Sequence, residues 1–254
     1  EEGEITYYRP VRQGVSSSVS DIIDIAALKP DSKEMRSLRG NQISMVFQEP
    51  MTAMLPVRTV GSQIVEAITL HHDVSAAEAR EQAIDTLARV KLPNPDRIFD
   101  TYPFELSGGM RQRCVIAMAL SCSPNLLIAD EPTTALDVTT EAQILDLMRD
   151  LQADYNMAIM YITHNLGVIA EMADEVAVMY MGKVVEEADV QSIFFNPLHP
   201  YTQALLRSIP QLDDVLARAG RKERLQTIKG MVPDPYSVLP GCTFHPRCPQ
   251  FMPG

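Results

Sequence analysis

Apolar positions along this chain change their period several times, and each change marks an element. Residues 43–47 form a short, β-branched apolar run that stops at Gln48, Glu49 and Pro50, which predicts a buried strand running into a loop. Residues 60–70 then repeat with helical spacing. Ser75, Ala76, Ala77 and Glu78 form a capping box ahead of Ile84, Leu87 and Val90, so a second helix follows. From Ser107 the positions Met110, Cys114, Val115, Met118 and Ala119 keep helical spacing until Pro124 breaks it. Residues 126–129 are a compact apolar strand ending in Asp130 and Glu131. A helix over about 140–153, a strand over 158–163, a helix over about 165–172 and a strand over 176–181 continue the alternation. That alternation predicts an α/β protein with a parallel sheet covered by helices, whose ligands gather at the carboxyl ends of the strands. Gly182 turns the chain into residues 183–187, and a Pro-rich tail runs from Pro197 to Pro253. The first forty residues, with Pro10, Gly14 and Ser16 to Ser18, show no sustained period and read as short strands and loops.

Composition narrows the classes. The 254 residues are 46% hydrophobic and 22% charged, ordinary for a globular protein with a sizeable core. A net charge of -11 argues against nucleic acid as a partner and against an anionic bilayer as a docking surface. No apolar stretch reaches the roughly 18 residues of a spanning helix. The run over 115–129 is interrupted by Ser121, Ser123, Pro124 and Asn125, so a membrane connection would go through another protein. Four cysteines do not make a disulfide framework, and no signal-peptide pattern opens the chain. Cys114 and Cys122 are expected to be small core residues.

The strongest chemical signal is Ser107-Gly108-Gly109-Met110-Arg111-Gln112-Arg113 at the mouth of a helix. Two glycines let an anion approach the backbone, and the helix start presents N–H groups and a positive dipole end. Some fifteen residues on come Asp130, Glu131 and Pro132, then Thr133, Thr134, Ala135, Leu136 and Asp137, and later Thr163 and His164. In this order and spacing the chain resembles the ATP-binding cassette family, with its signature motif, Walker B strand, D-loop (Asp137) and switch histidine. The tail from Phe194 and Phe195 through Pro197, His199, Pro200, Tyr201 and Gln203 resembles the region after the core in dipeptide, oligopeptide and nickel importer ATPases. The segment 230–248 resembles their C-terminal domain.

The resemblance implies a P-loop NTPase (RecA-like) core with a helical subdomain and an oligopeptide-transporter-type extension. It implies that residues 1–48 are a core remnant ending at the Q-loop, 49–123 the helical subdomain with the signature, 124–187 the core with Walker B, D-loop and switch histidine, and 188–254 an incomplete extension. ATP and Mg²⁺ are the implied ligands. Asp130 and Gln48 would hold the metal, a hard cation that takes oxygen ligands and keeps waters. Glu131 would polarise the attacking water and His164 contact the γ-phosphate. Ser107, Gly108, Gly109 and Gln112 would act in trans on the ATP of a second ATPase subunit, a copy or a different gene product. Two transmembrane permease subunits and, indirectly, a periplasmic or extracellular substrate-binding protein complete the implied assembly, at the cytoplasmic face of the cell membrane.

Departures from the family pattern matter as much. No Gly-x-x-x-x-Gly-Lys-Ser/Thr occurs; the one Gly-Lys pair is Gly182-Lys183, without an upstream glycine. Truncation ahead of Glu1 is the expected reason, and the adenine-stacking aromatic would be lost with that segment. After Gln48 the chain reads Met51-Thr52-Ala53-Met54-Leu55-Pro56, where peptide importers usually carry Ser-Leu-Asn before the proline. Cys242 and Cys248 match the start of a motif that ligates an iron–sulfur cluster in some relatives, but two thiolates do not complete a four-cysteine site. Three rival readings are a non-catalytic cassette lending its signature to a partner, a nickel importer, and a non-transport cassette ATPase acting on DNA or ribosomes. The last is disfavoured because residues 50–105 hold only a small helical insert.

Overall fold

The computed structural model describes residues 3–9, 22–48, 53–134, 136–208, 228–234, 236–237 and 239–252. Glu49 to Thr52 of the expected Q-loop, Ala135 of the D-loop segment, and Pro10, Gly14 and Ser16 to Ser18 lie outside the described residues. By compactness the chain divides into Glu1–His164 and Asn165–Gly254.

In the first unit, β1 (Thr6–Tyr8) and β2 (Ile22–Asp24) pair antiparallel. A short helix, α1 (Lys33–Leu38), starts at Ser32, whose hydroxyl accepts from Met35 N, and it buries Met35 and Leu38. β3 (Ile43–Val46), β4 (Leu126–Asp130) and β5 (Ala158–Ile162) form a parallel sheet in that order. Val46 stands beside Ala129, and Asp130 beside Ile162. A polar trio ties the entry ends of the strands. Asn125 Nδ2 donates to Gln42 Oε1 (2.7 Å) and to Tyr7 Oη (3.0 Å), while Asn125 N donates to Gln42 O and Ala158 N to Asn125 O, both at 2.9 Å.

Between β3 and β4 lie α2 (Val60–His71), α3 (Ala76–Arg89), α4 (Pro95–Phe99), a 3₁₀ turn (Pro103–Glu105) and α5 (Gly108–Leu120). The expected capping box is present: Glu78 N donates to Ser75 Oγ (3.3 Å) and Ser75 N to Glu78 Oε2 (2.8 Å). After β4, α6 (Val138–Tyr155) leads into β5. One core joins these pieces, with Ile64, Leu87, Ile116, Leu127, Ile144 and Met148 fully buried. Each such side chain contributes roughly 1.5–3 kcal/mol by leaving water. The helical insert and the strand ends therefore form one packed body.

The second unit holds α7 (Leu166–Met172), β6 (Glu175–Tyr180), β7 (Lys183–Asp189), α8 (Val190–Phe195) and α9 (Pro200–Arg207). Among the described residues β6 pairs with β7, antiparallel, and does not extend the parallel sheet as the alternation led us to expect. The turn explains the pairing. Met181 and Gly182 both take positive φ (51° and 73°), the two-residue geometry that closes a hairpin between right-twisted strands. The tail folds onto this hairpin. Phe244, 1% exposed, packs its ring against Tyr180 (5.3 Å), Tyr201 (5.4 Å) and His199 (5.9 Å). The Glu186 carboxylate accepts from Leu198 N (2.6 Å) and His199 N (3.1 Å), fixing the entry to α9.

Candidate functional site

Because β3, β4 and β5 run parallel, the residues that follow them leave the sheet at the same edge. Gln48 comes two residues after Val46, Glu131 one after Asp130, and His164 two after Ile162. Glu131 N donates to Ile162 O (2.8 Å), which carries the ladder one step past β4 and sets the glutamate beside the end of β5. Its φ of 44° is left-handed, an uncommon conformation for a residue with a Cβ. The following turn, closed by Thr134 N to Glu131 O (3.1 Å), holds it there.

The three side chains meet. Gln48 Nε2 donates to Glu131 Oε2 (2.8 Å), Thr134 Oγ1 donates to the same oxygen (2.9 Å), and His164 Nδ1 lies 2.8 Å from Glu131 Oε1. An ionised carboxylate only accepts, so His164 Nδ1 carries the proton in this contact. The bond from His164, followed by that from Thr134, holds the Glu131 carboxyl below the ordinary carboxylate value. Three donors fill three of about four acceptor positions on a carboxylate and leave about one for a water. Thr134 was not among the expected site residues. Its signal was present, since a threonine three residues past a strand-end acid is placed to close such a turn.

Asp130 is half-buried at the end of β4, and among the described residues its carboxylate has no hydrogen-bond or ion-pair partner. A carboxylate next in sequence to Glu131, with the Gln48 amide oxygen at the same sheet edge, is the kind of oxygen donor set that suits Mg²⁺. The residues present therefore fit the metal and γ-phosphate end of a nucleotide site.

Ser107 is the N-cap of α5, its hydroxyl oxygen accepting from Met110 N (3.3 Å), and it is exposed together with Gly108, with Gly109 half-buried behind them. Arg111 straps the approach, donating through Nε to Pro103 O (3.0 Å) and through Nη2 to Leu106 O (3.1 Å). Gln112 does not share this exposure. It is 1% exposed and donates through Nε2 to Pro132 O (2.6 Å), so its side chain braces the turn after Glu131 and cannot reach another molecule. A position four before the buried Ile116 lies on the inward face of the helix. Asp137 caps α6, accepting from Thr140 N (3.0 Å) and Thr140 Oγ1 (2.6 Å), and those bonds hold its carboxyl below the ordinary value.

Cys242 is exposed, with Sγ 3.7 Å from His199 Nε2, and Cys248 is half-buried. Among the described residues no three His, Cys, Asp or Glu side chains converge as a metal would require. The two cysteines do not fit an iron–sulfur cluster by themselves. Cys114 and Cys122 are buried, as expected, and burial pushes the Cys114 thiol up to about 12.

A parallel sheet with a glutamine, an acid pair and a histidine at its carboxyl edge, joined to a helix that opens with Ser-Gly-Gly, defines the class of cassette ATPases. The ABC transporter family matches residues 13–134, and the oligopeptide/dipeptide transporter C-terminal region matches residues 185–254. The oligopeptide transport ATP-binding protein AppD of Bacillus subtilis (strain 168) is 50% identical over 94% of this chain and 73% of its own length. The dipeptide transport ATP-binding protein DppD of Escherichia coli (strain K12) is 51% identical over 85% of this chain and 64% of its own. A dimeric, post-hydrolysis structure of the ATP-binding cassette MJ0796, bound to ADP and Pi, matches with a TM-score of 0.58 and 26% identity, covering 68% of this chain and 74% of that one. This chain belongs to the ABC transporter ATP-binding family, in the group that carries the oligopeptide/dipeptide C-terminal region. It spans about two thirds of the length of the curated relatives it matches.

Proposed function

We propose that this chain works as the ATP-binding and ATP-hydrolysing part of a transporter that imports dipeptides or oligopeptides. The observation that carries the reading is the meeting of Gln48, Glu131 and His164 at the carboxyl edge of the sheet. Phosphoryl transfer depends mainly on positioning and charge stabilisation, and these groups supply both. Asp130 and Gln48 would hold Mg²⁺, which when bound would supply neutralisation of charge on the phosphates. Glu131 orients the attacking water and takes its proton. His164, 80% exposed, turns from Glu131 toward the γ-phosphate, and in doing so it frees a carboxylate oxygen for the water. In this reading Gln48 leads from the sheet into the helical subdomain of 49–123, and 188–254 forms the extension beyond the core.

A Gly-x-x-x-x-Gly-Lys-Ser/Thr loop is not found in the sequence of this chain, so its own residues provide the water and metal end of a site and not the cradle for the β-phosphate. Ser107 and the N–H groups of Gly108 and Gly109 complete the site of a second ATPase subunit, as donors at a helix start do for an anion. Closure of the pair on ATP drives two permease subunits from the cytoplasmic face of the membrane.

The test pairs the chain with an intact partner cassette and measures hydrolysis with native Ser107, Ser107→Ala and Ser107→Arg. Alanine removes only the cap, worth about 1 kcal/mol of stability. The proposal expects activity with the native chain, reduced activity with alanine and none with arginine, which blocks the approach of phosphate. Equal activity for all three chains contradicts a composite site.

A further inference from the structure

Away from the strand ends, the first unit holds a cavity of about 420 Å³ lined by Lys33, Arg36, Ser37, Arg39, Asn41 and His71, with Leu70 as its apolar side. Its walls come from the exposed face of α1, the link into β3 and the last turn of α2. The helix places Lys33, Arg36 and Ser37 together at i, i+3 and i+4, opposite the buried Met35 and Leu38. The chain carries 33 acidic side chains against 22 Lys and Arg, yet among the described residues no carboxylate lines this cavity. Among the described residues the side chains of Lys33 and Arg36 have no hydrogen-bond or ion-pair partner, while Arg39 Nη1 donates to Pro30 O (3.4 Å). Burial, with help from the neighbouring His72, holds His71 below the ordinary imidazole value, so the lysine and two arginines carry the charge.

Cations near a helix C-terminus often serve its free carbonyls. Here the end of α2 is closed by its own backbone, His72 N to Ile68 O at 2.9 Å, and neither Lys33 nor Arg36 reaches it. The floor is firm: Gly40 N donates to Ile43 O (2.8 Å) and Ser44 Oγ to Gly40 O (3.2 Å), which ties the link to β3. Asn41 and Gln48 stand at opposite ends of β3, roughly 20 Å apart at ~3.3 Å per extended residue, so the cavity is separate from the hydrolytic cluster.

We propose that this cavity binds a small, multiply charged anion of the phosphate class. Its size lies within the range of small-molecule sites, and arginine forks with a lysine and the flanking Asn41 amide match phosphate oxygens, while the Ser37 hydroxyl donates to Glu34 O (2.7 Å). The group could be presented by a free phosphorylated molecule or by the headgroup of an anionic lipid.

Titration calorimetry of the full chain with inorganic pyrophosphate, at low salt and without Mg²⁺, tests the free source. Flotation with phosphatidylcholine vesicles, with and without phosphatidic acid, tests the lipid source. Lys33→Ala/Arg36→Ala alters only exposed positions, and a melting curve checks that it folds. Saturable binding to either probe, weakened about tenfold or more by the double variant and changed less than about twofold by His164→Ala, supports the proposal, and the probe that binds names the source. No saturable binding to either, binding that the double variant keeps within about twofold, or binding lost with His164→Ala alone overturns it.

Discussion

Gly109 is the second residue of α5, and a methyl group there would meet Thr140 Cγ2 at 2.7 Å, about 0.7 Å inside ordinary van der Waals contact. Two effects of Gly109→Ala oppose each other. Alanine favours the helix by up to about 1 kcal/mol over glycine. The clash costs more, because Thr140 is not free to move away. Its N–H and Oγ1 both donate to Asp137, at 3.0 and 2.6 Å, and together they cap α6. Turning Thr140 breaks the hydroxyl bond, worth about 1 kcal/mol at an exposed site, and holding it in place forces overpacking of about 1–3 kcal/mol. We expect Gly109→Ala to destabilise the chain by about 1 kcal/mol net. In Thr140→Ser the clashing methyl is gone and the hydroxyl remains, so the same Gly109→Ala change should become neutral or stabilising. A double-mutant cycle by urea denaturation reads the coupling, expected at about 1–2 kcal/mol. If Gly109→Ala has the same effect in both backgrounds, the contact between the start of α5 and α6 does not exist as described.

Tyr161 lies on β5 with its hydroxyl buried and, among the described residues, unpartnered, so Tyr161→Phe should leave stability unchanged or raise it by about 1 kcal/mol in thermal melts, and a loss above about 1 kcal/mol would reveal a missed partner. Maleimide at neutral pH should label exposed Cys242 well before Cys114, whose thiol burial pushes up to about 12, and equal rates in peptide mapping would contradict that burial. Glu131 titrates below the ordinary carboxylate value in the folded chain, so the bonds from His164, Thr134 and Gln48 are fully present above that value and are lost as pH falls through the folded one. Carboxyl NMR should show the midpoint rising in His164→Ala, and an unmoved midpoint would mean the histidine contact does not form.

Much of this site could be read from the chain because its chemistry sits at strand ends, where a run of apolar residues stops abruptly. Gln48, Asp130, Glu131 and His164 each follow such a run, and parallel order brings them to one edge. The capping box at Ser75 and Glu78 was legible for a similar reason, since both partners lie within one helical turn. What escaped reading depends on direction or on distant partners. Helix α1 has six residues, too few for a period to show, and yet it builds the basic cavity. Gln112 lies in the segment that resembles the signature motif, but its place one turn before Ile116 turns it inward. The approach of Gly109 to Thr140 joins positions thirty-one residues apart, and no local pattern announces it. β6 offered an apolar strand without naming its partner, and the turn at Met181 and Gly182 decided the pairing.

The measurement closest to the central claim is ATP turnover by Glu131→Gln in a protein where a phosphate-loop segment precedes this chain. The substitution keeps the shape of the side chain and removes its capacity to take a proton. The account predicts nucleotide binding close to that of the unsubstituted protein and a fall in kcat of roughly 10²–10⁴, the usual range for loss of a general base. Turnover within about tenfold of the unsubstituted protein, with binding intact, would contradict the role given to Glu131.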